Sequence, residues 1–230
     1  MTLLLLRSGV CLLLLFGTAG AEMLRRDFQN LFTYRNFAGA AVGLGLACVA
    51  HQWDDDVEGG LEEALLVDRP ADITNIYGSS SFNLPVSLGL WGGGKATGRD
   101  GLETVGSGLL RTLAFTQLVV APIKFTVRRE RPNGSNRLSF PSGHTANSFA
   151  VARFLHRSYG PRVGIPLYAV GVFVAAGRIE EDLHFLSDVV IGAVLGTIVG
   201  HAMTLERDSG IGAAPRITSD GVLLTAWIDF

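Results

Sequence analysis

Seven polar side chains between positions 124 and 188 have types and spacings suited to chemistry on a tetrahedral anion: Lys124, Arg131, Ser142, His144, Arg178, His184 and Asp188. Three of them are cations. A metal ion is repelled by such company, whereas a phosphate is held by it. His184 and Asp188 stand four apart, on one face of a helix. An Asp that accepts the Nδ1 proton leaves Nε2 free as a nucleophile and steadies the charged ring. His144 can then protonate the leaving oxygen. Gly143 lets backbone N–H groups at a helix start come close to an anion, and the helix dipole favours negative charge there. Ser142 can donate its hydroxyl or cap the helix. The chemistry implied is in-line attack by His184, a phosphohistidine intermediate, and hydrolysis of that intermediate by water activated through His144. The chain carries only two lysines among its 19 basic residues, Lys95 and Lys124, so a compact ammonium rather than a guanidinium fork is wanted at 124.

The elements that position these residues are helices. Leu102 to Lys124 reads as a long helix ending at Arg131-Pro132, and Pro132 to Asn136 is loop chemistry. A second helix opens at Pro141-Ser142-Gly143 and runs to Tyr159. A third runs from Val163 to Arg178, and a fourth from Leu183 to Leu205. Short connections make consecutive helices antiparallel neighbours. An end, a start, an end and a start therefore fall at one pole, and the seven residues meet there. The expected fold is all-α: an antiparallel helical bundle with its site at one pole.

Lys124-x6-Arg131-Pro132, Pro141-Ser142-Gly143-His144 and Arg178-x5-His184-x3-Asp188 together resemble the three-part signature of the type 2 phosphatidic acid phosphatase family, which also includes bacterial class A acid phosphatases and vanadium-dependent haloperoxidases. The resemblance implies phosphate binding by Lys124, Arg131, Ser142, Gly143 and Arg178. It implies His184 as nucleophile, His144 as acid and Asp188 as the partner of His184, with no metal or organic cofactor. It further implies a phosphomonoester or lipid phosphate hydrolase. The alternatives are a vanadium-dependent haloperoxidase or a catalytically silent membrane or scaffold protein of the same fold. One position departs from the pattern: Gly177 stands where the family usually has Ser, removing one hydroxyl donor.

Residues 1–21 read as a signal peptide or N-terminal anchor, with Arg7, the apolar run Val10–Phe16 and the small residues Ala19-Gly20-Ala21. Residues 22–99 supply helices and loops that complete the bundle, 100–206 form the phosphatase core, and 207–230 form a tail. Asp220-Gly221 in that tail predicts a small hairpin. Gly92-Gly93-Gly94 is expected to terminate the element before it, and Leu61–Val67 to be helical. The net charge of −2 gives no global field toward nucleic acid, so no nucleic-acid partner is expected. At 48% apolar and 17% charged residues the chain is oily for a soluble enzyme. That composition suits membrane association; with the N-terminal signal it suggests a membrane-associated or periplasmic enzyme of the cell envelope, and the family resemblance implies a phospholipid or isoprenyl diphosphate as a substrate.

Other polar residues have plainer readings. Asp54-Asp55-Asp56 reads as a solvated helix start, His51 as a loop histidine, and His156 as solvated at the far pole. His201 is expected to be buried and hydrogen-bonded. Glu180-Glu181-Asp182 forms a plain exposed link or a gate for anions. Arg128, Arg129 and Arg137 widen a positive mouth or face water.

Overall fold

The structure is a computed structural model describing residues 22–58, 76–204, 211–218 and 221–228. The expectations for 1–21 and Leu61–Val67 lie outside the described residues. Two compact units are present, one of residues 40–204 and one of residues 1–39 with 205–230.

In the smaller unit, residues 22–31 form α1, as the spacing of Leu24, Phe28 and Leu31 predicts. β1 (Ile211–Thr218) and β2 (Gly221–Ile228) pair antiparallel as the predicted small hairpin, with Thr218 opposite Gly221, which belongs to β2. The helix α2 (Tyr34–Ala50) begins in this unit and continues into the larger one.

The larger unit is the helical bundle. A 3-10 turn over His51–Trp53 leads into the short α3 (Asp54–Glu58). Then follow α4 (Ser80–Thr97), α5 (Asp100–Val127), α6 (Gly143–Tyr159), α7 (Pro161–Glu180) and α8 (Leu186–Ala202). The last four match the predicted helices, with shifted bounds. Leu183 and His184 are not yet helical: their amides both donate to Arg178 O, at 3.2 Å each, and close a turn that delays α8 to Leu186.

The Gly92-Gly93-Gly94 expectation fails. α4 runs through these glycines and stops at Gly98, whose φ of +64° gives the left-handed cap. The reason is tertiary. A Cβ on Gly94 would lie 2.3 Å from Glu103 N, so this glycine serves backbone contact with α5 rather than termination.

Helix α6 is central, packed by α5, α7 and α8. Its buried face is small or polar: Thr145, Ala146, Asn147, Ser148, Ala150 and Ala152, with Phe154 the one large apolar residue. Small residues let the neighbouring backbones approach closely. On α8, Gly192, Gly196 and Gly200 recur every fourth position against α6. A Cβ on each would stand 2.6, 2.1 and 2.3 Å from Ser142 O, Ala146 O and Ala150 O. This crossing fixes the start of α8 beside the start of α6, where the polar residues gather.

Two of the long helices expose apolar side chains. Val163, Ile165 and Val172 of α7, and Leu118, Phe125 and Val127 of α5, are exposed. Among the described residues, α5 and α7 are long and apolar enough to cross a membrane.

Candidate active site

Each residue of the predicted set lies at the same end of the bundle, carried by a helix terminus or the loop beside it. Lys124 is in the last turn of α5, which closes on Arg128 in the left-handed conformation (φ 51°). Lys124 Nζ donates to Leu138 O at 2.5 Å and lies 3.4 Å from Ser139 O, so the loop before α6 is tied to the end of α5. The same side chain passes Gly143: a Cβ there would be 3.7 Å from Lys124 Cε. Arg131 sits in the loop, where its amide donates to Asn136 O at 3.0 Å and closes the Pro132–Ser135 turn.

Ser142 precedes α6 and is fully buried. It makes no side-chain cap; its hydroxyl accepts from Thr145 Oγ1 at 3.0 Å, and its amide donates to Asp188 O at 3.0 Å. Arg178 lies in the last turn of α7, 1% exposed, with Nη2 2.6 Å from Glu181 Oε2. The acidic link is therefore not a plain exposed one: Glu180, Glu181 and Asp182 are partly buried, and Glu181 pairs with a cation of the site.

His184 is buried, with Nδ1 3.7 Å from Asp188 Oδ2, an ion-pair separation just beyond hydrogen-bond reach. Burial pushes the His184 imidazole down to about 4; Asp188 opposes this, while Lys124 and Arg131 add to it. His144, in the first turn of α6, is likewise held near 4, by burial first and then by Arg178, His184, Lys124 and Arg131. Lys124 and Arg131 act on both imidazoles, and Arg178 and His184 act on His144 as well.

Further residues outside the predicted set belong to this region. Ser139 Oγ donates to Asp188 Oδ2, and Phe185 N donates to the same oxygen at 3.0 Å. Arg129 Nη1 reaches Asp188 Oδ1 at 2.9 Å and Ser187 Oγ at 2.7 Å. Asp54 is buried, 3% exposed, and takes Arg129 Nη2 at 2.9 Å. The acidic triplet is therefore a solvated helix start only at Asp55 and Asp56. Arg129 is not a residue that merely faces water. His51 Nδ1 lies 2.5 Å from Asp54 Oδ2. Away from the site, His201 is half-buried rather than buried as expected, and it meets the expectation of hydrogen bonding through Arg153 at 3.2 Å. His156 is half-buried against Gly164 and edge-on to Tyr168 rather than solvated.

The PAP2 superfamily profile matches residues 106–208, the stretch that contains all seven side chains. Lipid A 1-phosphatase of Porphyromonas gingivalis is 41% identical over 80 residues, which is 34% of this chain; the chain spans only 18% of that longer protein. Decaprenylphosphoryl-5-phosphoribose phosphatase of Mycobacterium tuberculosis is 33% identical over 152 residues, covering 60% of this chain and 82% of the relative. Among solved structures, the transmembrane PAP2 type phosphatidylglycerolphosphate phosphatase from Bacillus subtilis superposes with a TM-score of 0.58 at 26% identity, over 73% of this chain and 92% of that one. Three spaced motifs, a matching bundle and a relative aligned over most of its length agree: the chain belongs to the PAP2 superfamily.

Proposed function

We propose that this protein is a metal-independent phosphatase that hydrolyses lipid phosphate esters through a phosphohistidine on His184. The observation that supports the reading is the gathering of Lys124 and Arg131, which act on both the buried His184 and the half-buried His144, with Arg178, which acts on His144, at one pole. Such a site is uncompensated for a neutral or cationic ligand and complementary to a phosphate.

In this reading Lys124, Arg131 and Arg178 take the non-bridging oxygens, with Ser142 and the Gly143 amide at the start of α6 as further donors. His184 Nε2 attacks phosphorus in line, the ester P–O bond breaks, and His144 gives its proton to the departing alkoxide. Water then attacks phosphorus while His144, now neutral, takes the water proton; the P–Nε2 bond breaks, phosphate leaves, and His184 is again neutral and His144 again protonated. Asp188 holds the Nδ1 side of His184 and supports the positive ring. The 3.7 Å separation between them has to shorten as the phosphoryl group transfers, since catalytic contacts commonly tighten in the complex. Phosphate held among the cations offsets their charge, which lets His144 carry a proton at the moment it is needed.

The preference for lipid substrates follows from the exterior. The exposed apolar faces of α5 and α7 suit a protein seated in the cell envelope membrane, and the relatives above are named for lipid-linked phosphates. Export across the inner membrane is part of the same proposal. The test compares kcat/KM for phosphatidic acid in mixed micelles with that for p-nitrophenyl phosphate. A higher value for the lipid is expected. Equal efficiency on both would remove the lipid preference and leave a general phosphomonoesterase.

A further inference from the structure

Asp188 is the carboxylate that must stay aimed at His184, and it is fully buried. Its two oxygens are held from different sides. Oδ2 accepts from Ser139 Oγ and Phe185 N; Oδ1 accepts from Arg129 Nη1 at 2.9 Å. The Arg129 guanidinium lies over the Phe185 ring, 3.9 Å from its centroid, and its other nitrogen meets Asp54 Oδ2 at 2.9 Å. Asp54 in turn accepts from Ser187 N and Ser187 Oγ, both at 2.8 Å. Asp54 is thereby joined to α8 directly and through Arg129, although it lies more than a hundred residues earlier in the chain.

We propose that Asp54 and Arg129 are positioning residues for the reaction: Asp54 anchors the guanidinium fork, and the fork fixes the Asp188 carboxylate against His184. The inference rests on the phosphatase reading of the site. A planar fork can bridge two carboxylates along fixed directions, and a lysine ammonium cannot reproduce that geometry. The charge balance also matters. Arg129 alone would draw Asp188 away from His184, but Asp54 neutralises it, so one net negative charge remains behind the nucleophile. Lys124, Arg131 and Arg178 stand on the phosphate side, Arg178 in contact with Glu181. The device separates holding the anion from aiming the nucleophile.

The test uses the full chain in detergent, with p-nitrophenyl phosphate as substrate and inorganic phosphate as competitive inhibitor. Asp54→Ala, the near-isosteric Asp54→Asn, Arg129→Lys, Arg129→Ala and the double variant Asp54→Ala/Arg129→Ala are compared. Expected is a fall in kcat of roughly 10–100-fold for Asp54→Ala, with the inhibition constant of phosphate within about twofold of wild type. Arg129→Lys fails to rescue, and the double variant is no slower than Arg129→Ala alone, because Asp54 acts through Arg129. Asp54→Asn, which keeps the shape, shows the same split in milder form. Wild-type kcat in both Asp54 variants overturns the proposal. So do parallel losses of kcat and phosphate binding, or additive losses in the double variant, all of which mark a merely structural network. A wild-type protein with no phosphatase activity, or one unaffected by His184→Ala, sinks the phosphatase reading and this inference with it. An active wild type with a dead His184→Ala and unaffected Asp54 variants sinks this inference alone.

Discussion

Gly78 stands so close to His144 that a Cβ built on it would lie 2.8 Å from His144 Cβ and 2.8 Å from Val174 Cγ1. The turn before α4 therefore packs on the first turn of α6 and bounds the position of the proposed acid. Asn147 secures the turn, donating to Gly78 O at 3.4 Å and to Ser80 Oγ at 3.1 Å, and is itself held by Gln117 at 3.0 Å.

Gly78→Ala is expected to displace His144 and to impair protonation of the leaving group. kcat should fall by about 10-fold or more for an alkyl phosphate, whose leaving oxygen needs a proton, and much less for p-nitrophenyl phosphate. The ratio of the two rates is the measurement. An equal loss on both substrates would show that the turn does not act on the acid.

The pH dependence follows from the two lowered imidazoles, each near 4. A lowered value keeps His184 neutral, and so nucleophilic, from about pH 5 upward. The same lowering strips the proton from His144 in the free enzyme as pH rises past its value. With the substrate's own ionisation corrected for, kcat/KM should increase from pH 7 toward the acid side and turn down only near 4. Phosphate in the complex offsets the cations, so the kcat profile should lie to the alkaline side of the kcat/KM profile. A kcat/KM maximum at or above pH 7 contradicts this electrostatic account.

The contact between α8 and α6 predicts a stability effect. A methyl at Gly196 would stand 2.1 Å from Ala146 O, backbone that cannot yield without moving the helix. Gly196→Ala should destabilise the fold by about 1–3 kcal/mol, read as a lowered Tm in detergent. An unchanged Tm would show that the crossing has slack. Gly93→Ala, where a Cβ meets nothing within 4 Å, is the matched control and should leave Tm unchanged or slightly raised.

Much of the site was legible in the sequence because its residues ride on helix ends, and helix ends alternate poles when connections are short. Lys124, Ser142, Arg178 and His184 needed no tertiary information beyond that. Asp54, Arg129, Ser139 and Ser187 were not legible in the same way. Asp54 meets Ser187 across 133 positions, a pairing set by how α3 docks on α8 and by no local period. An aspartate at a helix start is ordinarily solvated, so burial was the missing fact. The run Gly92-Gly93-Gly94 misled for a related reason. Glycine reads locally as a helix breaker, yet Gly94 is needed where α4 touches α5. The site's far anchor and the length of α4 are both decided by packing between helices.

The most direct test of the phosphohistidine mechanism is rapid quench into alkaline SDS of the protein turning over a ³²P-labelled phosphate monoester. Covalent, acid-labile and base-stable label is expected on His184, formed before product phosphate appears. The label should be absent in His184→Ala together with all turnover. Turnover that continues in His184→Ala, or that proceeds in the wild type with no label ever trapped, would contradict it.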